Sequence, residues 1–197
     1  MGDGHNIGYK PGNADNAMID VAERALRERL EGMTRVDDVS QHPALLAALT
    51  RECPNTITLL DSIHPIGRYT CLMYVFDFVE KPEYVAIAGY VGGRIFAAGA
   101  FAHWLLDHGL LVEVTAPNAR EGDIVIYFGE GGRFKHAGLS LATGRVISKW
   151  GIGHLYQHGF FEVPESYGTT IRLFKRLSYD DAFQYFEQFA EESGMCC

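Results

Sequence analysis

Residues 121–150, EGDIVIYFGEGGRFKHAGLSLATGRVISKW, constrain the fold more than any other part of the chain. Residues 124–128 form an unbroken run of β-branched and aromatic side chains, a pattern typical of a central strand buried on both faces. A glycine-rich stretch ends this strand, and residues 136–141 and 145–149 follow as two shorter strands joined by a tight turn. The sequence therefore predicts a three-stranded antiparallel meander that fixes His136 at the start of its second strand.

Composition indicates one globular domain. The chain has 197 residues, of which 47% are apolar and 12% aromatic, so it is long enough for one well-buried core and short for two. Residues 1–15 are rich in Gly, Asn and Pro and are expected to be a mobile lead-in, residues 16–192 the domain, and residues 193–197 a tail. The net charge of −8 and the lack of a Lys/Arg-rich run argue against nucleic acid as a partner.

The sequence also bears on location and cofactors. No apolar run approaches the length of a membrane span, and the start MGDGHN lacks the charged and apolar regions of a signal peptide, so we expect a cytoplasmic chain, or export by a route without such a signal, and no membrane partner. The four cysteines form no CxxC pair and no zinc-ligand spacing, which predicts neither a metal site nor a disulfide framework. No cofactor is expected.

Helical patterns surround the meander. Apolar residues recur at helical spacing in 17–33 and 41–51, and a third helix is predicted over 96–108. Ser178 is expected to cap a final helix that ends near residue 192, with an aromatic stripe as its packing face. Together with the meander these helices predict an α+β fold.

Cys71 is the candidate nucleophile. It opens a segment that is apolar almost all round, and Thr70 before it is a good helix N-cap, so the sequence favours a buried helix that ends at Lys81-Pro82; a buried strand is the competing interpretation. A cysteine in the first turn of a helix meets unpaired N–H groups and the positive end of the helix dipole, which favour the thiolate. The alternative is that Cys71 is a small buried core residue.

Three motifs in this order resemble a known family. They are residues 70–73 (Thr-Cys-Leu-Met), residues 121–128 (Glu-Gly-Asp and the apolar strand) and residues 136–139 (His-Ala-Gly-Leu). This arrangement, with the cysteine before the histidine, is similar to the NlpC/P60 and CHAP branch of the papain-like cysteine hydrolases over roughly residues 69–149. The resemblance implies a papain-like fold in which a nucleophile helix packs on a small antiparallel sheet.

The resemblance also implies roles for individual residues. Cys71 would be the nucleophile and His136 its general base, and Ser148 occupies the position of the third polar residue that orients the imidazole. A serine hydroxyl brings no charge and would orient the ring weakly, whereas a protonated Lys149 cannot accept a hydrogen bond. His154 would take this role if its glycine-rich loop folds back. The oxyanion would be bound by the backbone N–H of Cys71 and an upstream donor, for which Tyr69 is the best candidate.

The segment that follows the meander predicts a cleft wall. Trp150 and His154 lie there among glycines and other aromatic residues. A metal site formed by His154 and His158 would require a helix in this glycine-rich loop, so none is expected.

The function expected from the resemblance is that of a peptidase- or amidase-type thiol hydrolase. It would cleave an amide or related acyl bond of a peptide-like or small acyl substrate through a thioester intermediate. The chain departs from the family at Leu72 and Met73, where small residues are usual, and at Ser148. These departures favour the alternative, a catalytically inactive papain-like binding module, which could also bind a partner protein.

Overall fold

A computed structural model of the protein describes residues 15–64, 66–89, 96–115, 118–142, 144–151 and 153–194, with side chains from residue 21 onward. Within these ranges the chain has an α+β fold, as predicted, with six α-helices and one seven-stranded antiparallel sheet. The helices are α1 (Asp15–Thr34), α2 (His42–Glu52), α3 (Cys71–Val75), α4 (Pro82–Ala88), α5 (Gly99–Asp107) and α6 (Tyr179–Glu192). The strands are β1 (Thr58–Leu60), β2 (Glu113–Val114), β3 (Ile124–Phe128), β4 (Phe134–Ser140), β5 (Arg145–Lys149), β6 (Leu155–Gly159) and β7 (Thr170–Phe174).

Both predicted terminal segments fall largely outside the described residues. Of the lead-in at 1–15, only Asp15 is described, and it begins α1. Of the tail at 193–197, Ser193 caps the end of α6 and Gly194 follows it.

The predicted meander forms the middle of the sheet. The strand order is β1-β6-β5-β4-β3-β7-β2, so β3, β4 and β5 are neighbours as the sequence indicates. All five residues of β3 are buried, which confirms a central strand covered on both faces. In the pairing of β3 with β4, Val125 lies opposite Gly138 and Tyr127 opposite His136.

Helices cover both faces of the sheet. Along β3, Ile124, Ile126 and Phe128 belong to the core beneath α3, α4, α5 and α6, while Val125 and Tyr127 belong to the core beneath α1 and α2. This alternation follows from the pleat of a strand, whose successive side chains point to opposite faces. We refer to these as the α3 face and the α1 face of the sheet.

The C-terminal helix begins at its predicted cap and packs on the α3 face. Ser178 caps α6 by accepting the N–H of Asp181. Phe186 and Phe189 are buried, and Phe186 lies against Phe101 of α5 with ring centroids 5.3 Å apart. The aromatic stripe of this helix is therefore core packing.

Two elements differ from the sequence-based expectations. Helix α3 ends at Val75, well before Lys81, because the chain turns at Asp77, which has a φ of 60°. Strand β6 occupies part of the segment that was expected to be a glycine-rich loop, and it pairs with both β1 and β5. The glycines around β6 obscure its strand pattern in the sequence. In the structure, backbone pairing with β1 and β5 stabilises the strand.

The part of the chain that the structure describes contains no helix with both the length and the apolar character needed to cross a membrane.

Candidate active site

Thr70 fixes Cys71 at the first residue of α3, as the sequence predicts. The Thr70 hydroxyl accepts the N–H of Met73 at 3.1 Å and donates to the carbonyl of Ala97 at 2.6 Å. The Met73 sulfur in turn accepts the N–H of Thr70 at 3.5 Å. Met73 and Leu72 are each 1% exposed and belong to the core on the α3 face, which accounts for their size beside the nucleophile.

The thiol of Cys71 lies against β4. The backbone N–H groups of Ala137, Leu72 and Cys71 lie near its sulfur and favour the thiolate. Burial nevertheless raises the pKa of the Cys71 thiol to about 11, and the nearby charge of Lys149 works against this increase. The sequence-based expectation of a thiolate favoured by the helix start is therefore opposed by burial, and α3, with five residues, is too short to have a large dipole.

His136 lies on the α1 face of β4. Its side chain is almost fully buried, and its ring stacks on Tyr167 with centroids 4.0 Å apart and contacts Tyr127 at 5.6 Å. Its Nε2 atom has no hydrogen-bond partner in the described part of the chain. Burial and the proximity of His158 lower the pKa of His136 well below its ordinary value, so the imidazole is neutral at physiological pH.

The structure therefore brings Cys71 to the strand of His136. The sulfur lies at the Ala137 peptide, next to His136 in sequence, while the imidazole leaves the strand towards the α1 face. No hydrogen bond links the two side chains among those described. Their direct pairing as nucleophile and base stays a prediction.

Ser148 bonds to residues other than His136. Its hydroxyl accepts the indole N–H of Trp150 at 3.0 Å and lies 2.7 Å from Nε2 of His158. Nδ1 of His158 lies 2.7 Å from the carbonyl oxygen of Gly159, which can only accept, so Nδ1 carries the proton and Ser148 donates to Nε2. Burial lowers the pKa of His158 to about 4. The role of Ser148 as third catalytic residue stays a prediction.

Sequence analysis did not place His158 near the site. The register of β5 and β6 sets His158 opposite Val146, on the same face of the sheet as Ser148 and His136. Recognition of β6 as a strand would have revealed this position, because the pairing with β5 then fixes which side chains share a face.

Lys149 is the second residue that sequence analysis did not place in the site. It is fully buried, and its ammonium donates to the carbonyls of Gly151, at 3.2 Å, and Gly153. The ammonium also lies 4.6 Å from the centre of the Tyr69 ring. Burial lowers the pKa of Lys149 to about 8, while the proximity of Cys71 acts in the opposite direction. The alternation of side chains along β5 could have indicated this position, because it puts Lys149 and Ser148 on opposite faces of the sheet.

A cleft with a volume of about 240 Å³ is lined in part by Tyr69, Gly153 and His154. His154 lines this cleft, and its Nε2 lies 3.0 Å from the carbonyl oxygen of Val39. The Tyr69 side chain is buried, with its hydroxyl 3.1 Å from that of Ser62. The role of the Tyr69 backbone N–H as an oxyanion donor stays a prediction.

Trp150 does not line this cleft, contrary to the prediction of a cleft wall. It is 1% exposed and packs in the core of the α1 face, with its ring 4.4 Å from that of Tyr156. The indole is buried because its N–H finds a partner in Ser148, which removes the cost of enclosing that polar group.

His154 and His158 are not arranged to share a metal ion. The chain between them is extended along β6, which separates residues four apart by about 13 Å. Across the described residues, no three histidine, cysteine, aspartate or glutamate side chains gather in a metal-binding arrangement.

Comparison of the chain with protein-family models, with curated proteins and with solved structures finds no match in any of the three.

Proposed function

We propose that this protein is a thiol hydrolase of papain-like type, related to the NlpC/P60 branch, that cleaves an amide or related acyl bond. The observation that carries the proposal is the position of the Cys71 sulfur beside the backbone N–H of Ala137. It places a thiol one residue from His136, a buried imidazole whose Nε2 has no described partner. Covalent acyl transfer requires a nucleophile and a neutral base, and in this proposal His136 is that base.

The proposed reaction has two steps. Cys71 sulfur attacks the carbonyl carbon of the substrate, and the thiol proton passes through Nε2 of His136 to the leaving amine as the C–N bond breaks. Water then attacks the resulting thioester, again with His136 taking the proton, and the acid and the free thiol are released. The lowered pKa of His136 keeps the imidazole neutral and so able to accept a proton. The N–H groups around the sulfur stabilise negative charge as it develops.

Intact-protein mass spectrometry tests this proposal. The protein is incubated with p-nitrophenyl acetate and with a panel of peptide amides, and acyl adducts are mapped after peptic digestion at low pH. We expect a transient, hydroxylamine-sensitive adduct on Cys71 that Cys71→Ala abolishes and that His136→Gln forms more slowly. Cys53→Ala is the matched control, because Cys53 is also half-buried, and it should retain the adduct. An adduct of equal yield in Cys71→Ala would refute the assignment.

A binding module without catalysis is the second candidate. The thiol pKa of about 11 and the deep burial of the His136 imidazole favour it. In that case the peptides would bind with no mass change at Cys71, and binding would be equal in the protein and in Cys71→Ser.

A further inference from the structure

Lys149 carries a buried positive charge, and none of the salt bridges among the described residues pairs it with a carboxylate. Its side chain is fully enclosed, and the partners of its ammonium are two carbonyl oxygens and the face of the Tyr69 ring. The salt bridges among the described residues are formed by other side chains. Because a buried charge is costly without a counter-charge, an anion close to Lys149 would stabilise this part of the protein.

The sheet register places Lys149 on the same side as Cys71. Leu139 pairs with Ile147 in β4 and β5, and continuation of this antiparallel pairing sets Ala137 opposite Lys149, on the α3 face. Ala137 is also the residue whose N–H reaches the Cys71 sulfur. Tyr69, two residues before Cys71, covers the ammonium with its ring. The cation and the thiol therefore lie together beneath the start of α3.

The thiolate of Cys71 requires a positive charge that the other groups do not supply. The N–H groups at the sulfur are neutral dipoles, and burial keeps the His136 imidazole neutral. The titratable side chains at the cleft beside Tyr69 and Gly153 are Asp61, His64, Tyr69 and His154. On the α1 face of the sheet, the titratable side chains are His136, His158 and Tyr167. Lys149 is the member of this environment whose charge acts directly on the thiol.

We propose that Lys149 is a positioning residue that supplies the positive charge for the Cys71 thiolate. His136 then serves proton transfer alone. The use of this thiolate in catalysis rests on the proposed function, but the pairing of the two charges is a property of the free protein. Lys149 acts through the sulfur, and the carbonyls of Gly151 and Gly153 fix the position of its ammonium.

The pH dependence of Cys71 alkylation tests this inference. Iodoacetamide is used on a protein in which Cys53, Cys196 and Cys197 are replaced by serine, with Lys149→Met and Lys149→Arg compared in the same background. Lys149→Met should slow alkylation at pH 7, where the parent lysine is charged, by about tenfold, since each pKa unit changes the thiolate fraction tenfold. The difference in rate should shrink above about pH 8, where the parent lysine loses its charge. His136→Gln should slow alkylation at pH 7 less. An equal rate at pH 7 in the parent and in folded Lys149→Met would overturn the inference.

Lys149→Arg keeps the test decisive if Lys149→Met does not fold. Lysine loses its charge as the pH rises through about 8, whereas arginine stays charged, so the arginine variant should ionise Cys71 at lower pH than the parent does. Identical inflections in the parent and in folded Lys149→Arg would contradict the inference. Alkylation uses no substrate, so a Lys149-dependent thiolate together with no acyl adduct would refute the proposed function and leave this inference intact.

Discussion

The imidazole of His136 and the phenol ring of Tyr167 stack with their planes 26° apart. Tyr167 ends the short 3₁₀ helix Glu165–Tyr167, and the chain at this point is held by α1, whose Arg27 donates to the carbonyl of Gly168. The candidate base is therefore kept in place by a ring that the N-terminal helix positions. Through Tyr167, both helix α1 and the segment before β7 help to position the His136 imidazole.

Loss of the Tyr167 ring should raise the pKa of His136. In Tyr167→Leu the imidazole loses the ring that covers it, so its pKa should move up towards the ordinary value of about 6.5. Tyr167→Phe retains the stack and is the matched control. Titration of the histidine ring protons by NMR measures both values, and equal pKa values in the two variants would show that Tyr167 does not shield His136.

Acid should destabilise the protein through its two buried histidines. The pKa values of His136 and His158 are lowered by folding, so below about pH 6.5 the unfolded chain binds protons that the folded chain does not. The free energy of unfolding should then decrease as the pH falls, by up to about 1.4 kcal/mol per pH unit for each histidine. For His158 this loss continues until the pH reaches about 4.

Urea denaturation at several pH values between 7.5 and 4.5 measures this slope on a scale of about 1 kcal/mol. His158→Gln should reduce the slope, whereas replacement of the exposed His108 by glutamine should leave it unchanged. If the free energy of unfolding depends on pH equally in both variants, His158 does not contribute to the acid destabilisation.

Ser148→Ala should lower stability because two buried groups lose a partner. The indole N–H of Trp150 and Nε2 of His158 both bond to the Ser148 hydroxyl, and an unsatisfied buried group costs about 1–3 kcal/mol. Chemical denaturation measures the loss, with Ser193→Ala as a control. Its hydroxyl donates to the Phe189 carbonyl at the exposed end of α6, where water can replace it, so this variant should lose less stability. If folded Ser148→Ala also forms the Cys71 acyl adduct more slowly, Ser148 contributes to the reaction as well as to the fold.

Gly138→Ala should strain the contact between β4 and β5. A Cβ atom at residue 138 would lie 2.5 Å from a methyl carbon of Val146 and 2.7 Å from the carbonyl oxygen of Ile147. Overpacking of this kind costs about 1–3 kcal/mol, and the backbone oxygen cannot move without disturbing the strand pairing. Gly32→Ala in α1 is the control: its added methyl meets no atom within 4 Å, so it should stabilise the helix by about 0.5–1 kcal/mol. Equal stabilities of the two variants in guanidinium would contradict the packing argument.

Features that depend on neighbouring residues could be predicted from the sequence. The buried strand β3, the caps at Thr70 and Ser178, and the meander that carries His136 all depend on side chains a few positions apart. Because the interacting residues are close in sequence, their patterns can be recognised from one amino-acid sequence. The α+β class follows from such patterns taken together.

The composition of the site could not be predicted in the same way. Whether Lys149 or Ser148 faces Cys71 depends on the pairing between strands, and the position of His158 depends on β6, whose pattern is obscured by glycines. The burial that raises the pKa of Cys71 comes from packing between distant segments. These properties arise only when the sheet and the helices on its α3 face are assembled.

The sheet ends at each side in a very short strand, β1 with three residues and β2 with two. Backbone groups at an open edge are a template for the strands of other molecules, so short edges limit intermolecular pairing. The segment at greatest risk is Ile-Val-Ile-Tyr-Phe of β3, which is uncharged, rich in β-formers and free of proline. The fold encloses it between β4 and β7. Aggregation of this protein should therefore require opening of the sheet and should follow the population of unfolded molecules, because contacts between native edges offer few backbone groups.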